Sequence, residues 1–530
     1  MSEMKEFDVI IIGAGVTGAG TARDGALRGL KTLLIERADI ADGASGRNHG
    51  LLHSGARYAV GDPESACECI KENMILRKVA SNCVEATDGL FISLPEDGLE
   101  YRDKFLKKCA EAGIHTQTLS PQKALSLEPL VNPELISAVK VPDASVDPFR
   151  LVSANVLDAR LHGAEVLTRQ EVTDIIKEDG RVKGLKVLDK SSGTVNIYYA
   201  HYIVNAAGIW GAKIAEMAGV HIGMLPAKGS LLVFDHRVTR MVINRCRKPA
   251  NADILVPGDV VSVLGTTSDK VPFEQCDDMK VTRDEVDLLL REGCKLVPSL
   301  AQTRIIRAYA GVRPLVASDD DPSGRNVSRG IVLLDHLKRD SVDGFISITG
   351  GKLTSYRLMA EMTADLLCSK LAIKAKCHTA DTPLPGSEKS VKFSSVVRKA
   401  REMKMDTYVI EAAACRHGSQ VEAMDFSGKG AELVCECEKV CRAEIAYAVK
   451  VLGVKTLDDL RRRTRVGMGP CQSSYCVEKA AKVLAEELGD TSLSEELKKD
   501  YLQHRWKGIV PICRAEQLAQ AEYLRNKYGK

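Results

Sequence analysis

Phe7-Asp8-Val9-Ile10-Ile11-Ile12 runs directly into Gly13-Ala14-Gly15-Val16-Thr17-Gly18, and the reading of these twelve residues decides the fold. The first six are mostly β-branched and apolar, the pattern of a strand buried on both faces. Val16 to Leu30 then reads as a helix, and Leu33-Leu34-Ile35-Glu36 as a second strand ending on a carboxylate. Strand, glycine turn, helix and strand in this order make a dinucleotide site. Gly13 permits the tight turn, Gly15 lets the backbone approach a pyrophosphate, and Gly18 lets helix and strand pack closely. The helix N-terminus faces the phosphates with free N–H groups and the positive end of its dipole. Glu36, eighteen residues beyond Gly18, is placed to accept a hydrogen bond from a ribose hydroxyl.

The rest of the composition sets bounds. A chain of 530 residues is too long for one core and implies two to four domains. Hydrophobic content of 45% and charged content of 27% are those of an ordinary globular enzyme. A net charge of +3 without a basic face argues against a nucleic-acid partner. The longest apolar runs are too short for a membrane span. Met1 to Glu6 leads straight into the first strand, so no signal or transit segment is expected. Sixteen cysteines without a secretion signal suggest reduced thiols or metal ligands rather than disulfides.

Outward from the glycine turn, Asp42 to Tyr58 is a small-residue, polar stretch. Gly43, Gly46, Gly50 and Gly55 break it up, and Arg47, His49, His53, Arg57 and Tyr58 fall within it. That composition suits a site wall better than a core. A helix is expected over 64–87 and another over Phe149–His162, with strands around Val172 and over Val182–Val187. Tyr202 to Trp210 reads as a buried strand that breaks into small residues at Ala206-Ala207-Gly208, allowing close backbone approach to a nucleotide. Strands at Leu231–Phe234, Ile254–Val256 and Val261–Leu264 predict an antiparallel sheet, followed by a helix over Val281–Leu296 and a strand over Arg304–Val312, with Arg313 just after it. Phe345 to Ile348 is a further strand, and Thr349-Gly350-Gly351-Lys352-Leu353-Thr354 is expected to open a helix to about Leu371. Pro383–Ser387 reads as a linker and 392–430 as largely helical.

Cys435-Glu436-Cys437 is followed after thirty-three residues by Cys471-Gln472-Ser473-Ser474-Tyr475-Cys476. Two close pairs of thiolates suit one metal centre, and the Gly467-Met468-Gly469-Pro470 loop could aim N–H groups at sulfur. The spacing is not that of paired CxxC zinc knuckles. It favours a [2Fe–2S] cluster on Cys435, Cys437, Cys471 and Cys476, with zinc or no metal as the alternatives. Cys67 and Cys69 read as structural, and Cys441 as a neighbour rather than a ligand. The Arg461–Arg465 run could offset cluster charge, meet a partner, or simply be a solvated helix face.

The glycine turn with Glu36, the Gly46–Tyr58 segment, Tyr309-Ala310-Gly311-Val312-Arg313-Pro314-Leu315 and Gly350-Gly351-Lys352-Leu353 together resemble the FAD-dependent glycerol-3-phosphate dehydrogenases. The cysteine module is similar to the bacterioferritin-associated-ferredoxin (BFD) type of [2Fe–2S] domain, so that the whole chain resembles the flavin-bearing subunits of the anaerobic members. The resemblance implies an α/β fold: a Rossmann-like FAD domain with an antiparallel, D-amino-acid-oxidase-like substrate domain, plus a small helical [2Fe–2S] domain. The expected layout is 1–380 for the FAD-dependent part, with the substrate cap at about 88–141 and 225–310. A helical linker would occupy 381–430, the cluster domain 431–485 and a helical tail 486–530. The implied reaction oxidises sn-glycerol 3-phosphate to dihydroxyacetone phosphate. Electrons would pass through the cluster and subunits B and C to the quinone pool, from a peripheral position on the inner face of the cytoplasmic membrane.

By that resemblance Arg57, Tyr58, Arg313 and Lys352 line the substrate pocket, where arginine forks suit a phosphate dianion. His53 is the first choice for the base, or else orients substrate or flavin. FAD would meet Gly13, Gly15 and Gly18 at its pyrophosphate and Glu36 at its ribose. Ser45, Arg47 and His49 would lie by the phosphates or ring, Val172 by adenine, and Gly208 over the pyrophosphate. Arg37, Gly351, Lys352 and Leu353 complete the set. The rival readings are a related 2-hydroxyacid dehydrogenase and a non-catalytic electron-transfer or adaptor protein.

Overall fold

The computed structural model describes residues 6–316 and 330–528, so the N-terminal run up to Lys5 lies outside the described residues. Strand β1, Glu6–Ile12, is buried at Phe7 and from Val9 onward, as expected of a strand covered on both faces. It enters helix α1, Val16–Leu27, through Gly13 in the left-handed region (φ 102°). Helix α1 stops short of Leu30, because Gly29 adopts φ 82° just past the Arg28 cap, the usual glycine ending of a helix. Strand β2, Thr32–Ile35, pairs parallel to β1, Ile12 opposite Ile35.

The sheet built on these strands runs in the order Gln170–Glu178, Arg181–Asp189, Val195–Asn205, β1, β2, Glu165–Leu167. Phe345–Gly350 joins it parallel to Val195–Asn205, and Ile331–Asp335 pairs antiparallel with Phe345–Gly350. One core packs α1, Pro148–Leu161 and Tyr356–Lys370 on one face of this sheet. Another, with Phe7, Ile10, Leu33 and Ile203, fills the opposite face. The carboxyl ends of β1, β2 and Val195–Asn205 therefore open onto one edge, where ligands bind in sheets of this kind.

A second sheet, of nine strands, is largely antiparallel. Its long central pair joins Met224–Phe234 to Ile305–Val316, with Ala227 opposite Arg313. The Val242–Arg245 strand pairs parallel with Gly89–Ser93. The Arg283–Leu296 helix covers one face through Val286, Leu289 and Leu296.

Several expected boundaries shift. The helix expected over 64–87 is Pro63–Val79, begun by Asp62 accepting from the Ser65 N–H and closed at Ala80. The strand expected to end at Val312 continues to Val316. The helix expected from Lys352 begins only at Tyr356, because Gly350 and Gly351 both take left-handed φ values and hold the chain in a turn. Beyond residue 392 the helices Phe393–Met403 and Thr407–His417 share a small core with Phe426 and Tyr447. A further core built on Val434, Ile445, Leu460 and Leu484 surrounds the cysteine module. Among the described residues no helix is long and apolar enough to cross a membrane.

Candidate functional site

A cavity of about 1100 Å³ opens at the carboxyl edge of the first sheet and runs beneath the second. Of the flavin and pocket residues expected from sequence, all but Gly18 line it: Gly13, Gly15, Glu36, Arg37, Ser45, Arg47, His49, His53, Arg57, Tyr58, Val172, Gly208, Arg313, Gly351, Lys352 and Leu353. Gly18 acts from behind. A Cβ there would stand 1.9 Å from the Gly13 carbonyl oxygen, so only glycine lets α1 sit this close to the turn. At Gly13 a Cβ would come within 2.8 Å of the Ala206 carbonyl oxygen. A backbone cradle that side chains would fill is what a pyrophosphate requires, and the residues present fit FAD.

Glu36 closes the end of β2. Its two carboxylate oxygens accept the Ala14 N–H at 2.8 Å and the Ala38 N–H at 2.9 Å. Burial pushes its pKa up, while those two N–H groups act the other way. Each oxygen keeps a second lone pair for a hydroxyl. The Ser45 hydroxyl accepts the Val16 N–H at 2.9 Å, which caps α1 beside Gly15. Gly311 lets the long strand press against Arg47, whose carbonyl oxygen would lie 2.4 Å from a Cβ there. The Tyr309 hydroxyl ties the same loop by donating to the Asn48 carbonyl at 2.7 Å. Arg37 lines the cavity, but its charge is met by Asp277 at 2.6 Å and its guanidinium lies 4.3 Å from the Trp210 ring centre.

The polar wall is assembled from segments far apart in sequence. The His53 ring is buried between His49, 6.0 Å away, and Tyr58, 5.2 Å away, both edge-on. The His53 backbone N–H donates to the Thr354 hydroxyl at 3.1 Å, which joins this loop to the turn after Gly351. Lys352 in that turn sits 4.6 Å from the Tyr58 ring centre. It precedes the helix by four residues rather than standing at its N-terminus. Arg57 is held by Asp253 at 3.2 Å, and Asp253 also receives Arg247. Arg313 donates to the Thr266 hydroxyl, to the Thr267 carbonyl at 3.1 Å and to the Lys228 carbonyl at 3.4 Å. A side chain on Gly229 would strike its guanidinium. Sequence reasoning missed Asp253, Thr266, Thr267 and Thr354. The polar Thr266-Thr267-Ser268 run directly after an apolar strand was the available signal for two of them.

The second centre lies in the cysteine module. Cys435 and Cys476 are buried and hydrogen-bonded to each other, whereas Cys437 and Cys471 form a second, half-buried pair. The bond from Cys476, with the Gly467 and Glu438 N–H groups, holds the Cys435 thiol down at about 6. The Cys471 N–H points at the Cys437 sulfur. Gly469 packs on Cys437, where a Cβ would meet its Cβ at 2.4 Å. Among the described residues no three His, Cys, Asp or Glu side chains converge as a single-ion site would need. Two sulfur pairs with N–H groups aimed at them are a donor set that fits a two-iron cluster. Cys441 is buried, with its thiol pushed up to about 11 by desolvation, and Cys69 is buried on its helix with its thiol up at about 12 for the same reason.

The arginine run is not a solvated face. Arg463 grips Asp39 at 2.6 Å, and Arg462 reaches both Asp39 at 3.1 Å and Asp42. Arg465 meets Glu438 at 3.1 Å, Asp259 at 2.9 Å and Asp147 at 3.4 Å. The Arg462 and Arg463 pairs dock the Leu457–Thr464 helix of the cluster module onto the segment that carries Asp42 into the cavity wall, and Arg465 adds contacts to Asp147 and Asp259.

Comparison with known proteins agrees with both centres. Residues 8–357 match the family of FAD dependent oxidoreductases, and residues 433–486 match the BFD-like [2Fe-2S] binding domain. The A subunit of the anaerobic glycerol-3-phosphate dehydrogenase of Escherichia coli (strain K12) is 56% identical over 523 residues, covering 98% of this chain and 96% of that protein. The A1 subunit of the Haloferax volcanii enzyme of the same name is 42% identical over 529 residues, 97% of this chain and 89% of that protein. The structure of the glycerol-3-phosphate dehydrogenase from Bacillus halodurans complexed with FAD superposes with a TM-score of 0.74 at 25% identity, covering 96% of this chain and 97% of that one. The chain belongs to the FAD-dependent oxidoreductases and, among them, to the family formed by the A subunits of anaerobic glycerol-3-phosphate dehydrogenases.

Proposed function

We propose that the chain oxidises sn-glycerol 3-phosphate to dihydroxyacetone phosphate, using the large cavity for both FAD and substrate. The observation that carries this reading is one cavity lined at once by the glycine cradle with Glu36 and by His53, Arg57, Arg313 and Lys352. When bound, FAD supplies the acceptor for the hydride that leaves the carbinol carbon. The protein must then hold the substrate and take its hydroxyl proton. Arg313, aimed by the two threonines and by the room Gly229 leaves, receives the phosphate through its planar fork. Lys352 adds positive charge beside Tyr58. Arg57, with Asp253 behind it, fixes the opposite wall. His53, fixed between two rings and out of bulk water, takes the hydroxyl proton.

Onward transfer runs through Cys435, Cys437, Cys471 and Cys476 as cluster ligands to partner subunits B and C and the quinone pool. The relatives' names, which make each of them one lettered component of a dehydrogenase, support such partners. The chain would lie against the inner face of the cytoplasmic membrane without crossing it. The domain layout set out from sequence belongs to the same proposal.

An anaerobic absorbance spectrum of the purified chain, taken before and after adding sn-glycerol 3-phosphate, tests the reaction. Flavin bands over iron–sulfur absorption, bleached by the substrate, are expected. Flavin that ignores this substrate but bleaches with L-2-hydroxyglutarate would move the function to a 2-hydroxyacid dehydrogenase.

A further inference from the structure

The helix Ser494–Ile509 lies beyond the residues matched to the cluster domain, 433–486, yet it packs on the cysteine module. Tyr501 on this helix reaches the cluster loops: a Cβ on Gly467 would come 2.3 Å from its hydroxyl oxygen. One turn further, Arg505 donates to the Ser474 hydroxyl at 3.1 Å, inside the Cys471–Cys476 loop. No carboxylate lies within 4.0 Å of the Arg505 guanidinium among the described residues, and its Nε is buried with no hydrogen-bond partner.

Arg461 on the neighbouring helix differs, because its Nε faces the Asp458 carboxylate at 3.6 Å, whose other oxygen binds His504 at 2.5 Å. Arg505 is half-buried, and a guanidinium cannot escape desolvation by losing its proton, so its buried Nε calls for a negative charge nearby. A [2Fe–2S] cluster on four thiolates carries a net charge of about −2 oxidised and about −3 reduced.

Resting on the reading of the four cysteines as cluster ligands, we propose that Arg505 is a counter-ion of that cluster and holds its reduction potential up. It stabilises the reduced form, with its extra negative charge, more than the oxidised form. The Ser494–Ile509 helix is thus part of the redox centre and not only part of a tail. Desolvation pulls the Arg505 pKa down; Tyr501 first, and then Cys471 and Cys476, oppose that pull, while Arg304 adds to it. Arg505 touches no reacting atom and acts through the cluster, as a positioning charge.

The test is an EPR-monitored potentiometric titration of the full-length chain with its flavin and cluster, together with iron and sulfide analysis. R505Q is expected to shift the cluster midpoint negative. At the wild-type midpoint the reduced-to-oxidised ratio should fall at least threefold, which is about 28 mV at 59 mV per decade for one electron. R505K keeps the charge and should restore most of the shift. S474A removes the hydrogen bond but not the charge and should stay near the wild-type value. Should R505Q lose its cluster, R505M is titrated in its place and the same negative shift is expected. A midpoint unmoved in R505Q, or moved equally in S474A and R505K, would overturn the inference and leave the cluster reading standing. Wild-type chain purified anaerobically without iron or sulfide would overturn both.

Discussion

Replacing Asp39 by Asn tests whether the arginine run places the cluster module against the flavin domain. Asp39 is 4% exposed, and it accepts Arg463 at 2.6 and 3.1 Å and Arg462 at 3.1 Å. Asn keeps the shape and removes the charge. Arg462 retains Asp42, but Arg463, with its side chain 2% exposed, keeps no carboxylate among the described residues. The two arginines hold the Asp39 carboxyl at about 2, against an ordinary 3.8 and against the opposing effect of burial. At 1.36 kcal/mol per unit that depression is worth about 2 kcal/mol. Removing one partner of a buried pair costs about 3–5 kcal/mol. The expected loss of docking stability is therefore roughly 2–5 kcal/mol. Stopped-flow mixing with sn-glycerol 3-phosphate should show flavin bleaching at the wild-type rate and slower cluster reduction. Limited proteolysis should cut more readily between the two parts. Wild-type behaviour in both assays would refute the view that this pair holds the module in place.

The same pair predicts an acid response. A depressed carboxyl pKa contributes stability that is fully present above its ordinary value and is lost as pH falls through the folded one, so docking should weaken from about pH 4 towards about pH 2, and D39N should lose less in that window than wild type by the same proteolysis, Asp259 on Arg465 still titrating. Gly18→Ala should purify with little flavin, because its Cβ would lie 1.9 Å from the Gly13 carbonyl oxygen; full flavin content would argue against the cradle. Arg313→Met should raise KM for the phosphorylated substrate about 10–150-fold, the worth of a charged hydrogen bond of about 1.5–3 kcal/mol, with flavin content unchanged. His53→Gln should lower kcat by about 10²–10⁴ while the flavin spectrum stays native, and a kcat within a factor of three would leave His53 only an orienting role.

The dinucleotide site was legible because its demands are local. A turn that admits only glycine, a helix opening on it and an acid closing the next strand all lie within thirty residues, and Gly13, Gly15, Gly18 and Glu36 stand where that pattern puts them. Legibility fell off wherever a contact joined distant segments. Nothing near Arg313 in sequence announces Thr266 and Thr267, because they arrive on the loop that follows another strand of the second sheet, Val261–Gly265. The helix after Lys352 was placed too early because spacing alone did not show that Gly350 and Gly351 would both turn left-handed.

The sequence by itself determined the two kinds of chemistry, a flavin cradle from the spacing of glycines and a cluster from the spacing of cysteines, since the glycines share one turn and the cysteines come as two close pairs. Only the tertiary structure decided how the two are joined. Arg461–Arg465 reads equally well as a solvated face, a partner contact or a counter-charge. The choice depends on where Asp39, Asp147 and Asp259 lie, and those carboxylates come from elements hundreds of residues away. Charge pairing acts over a few ångströms in space and is indifferent to distance along the chain, so the fold had to bring those groups together before the arginines acquired a role.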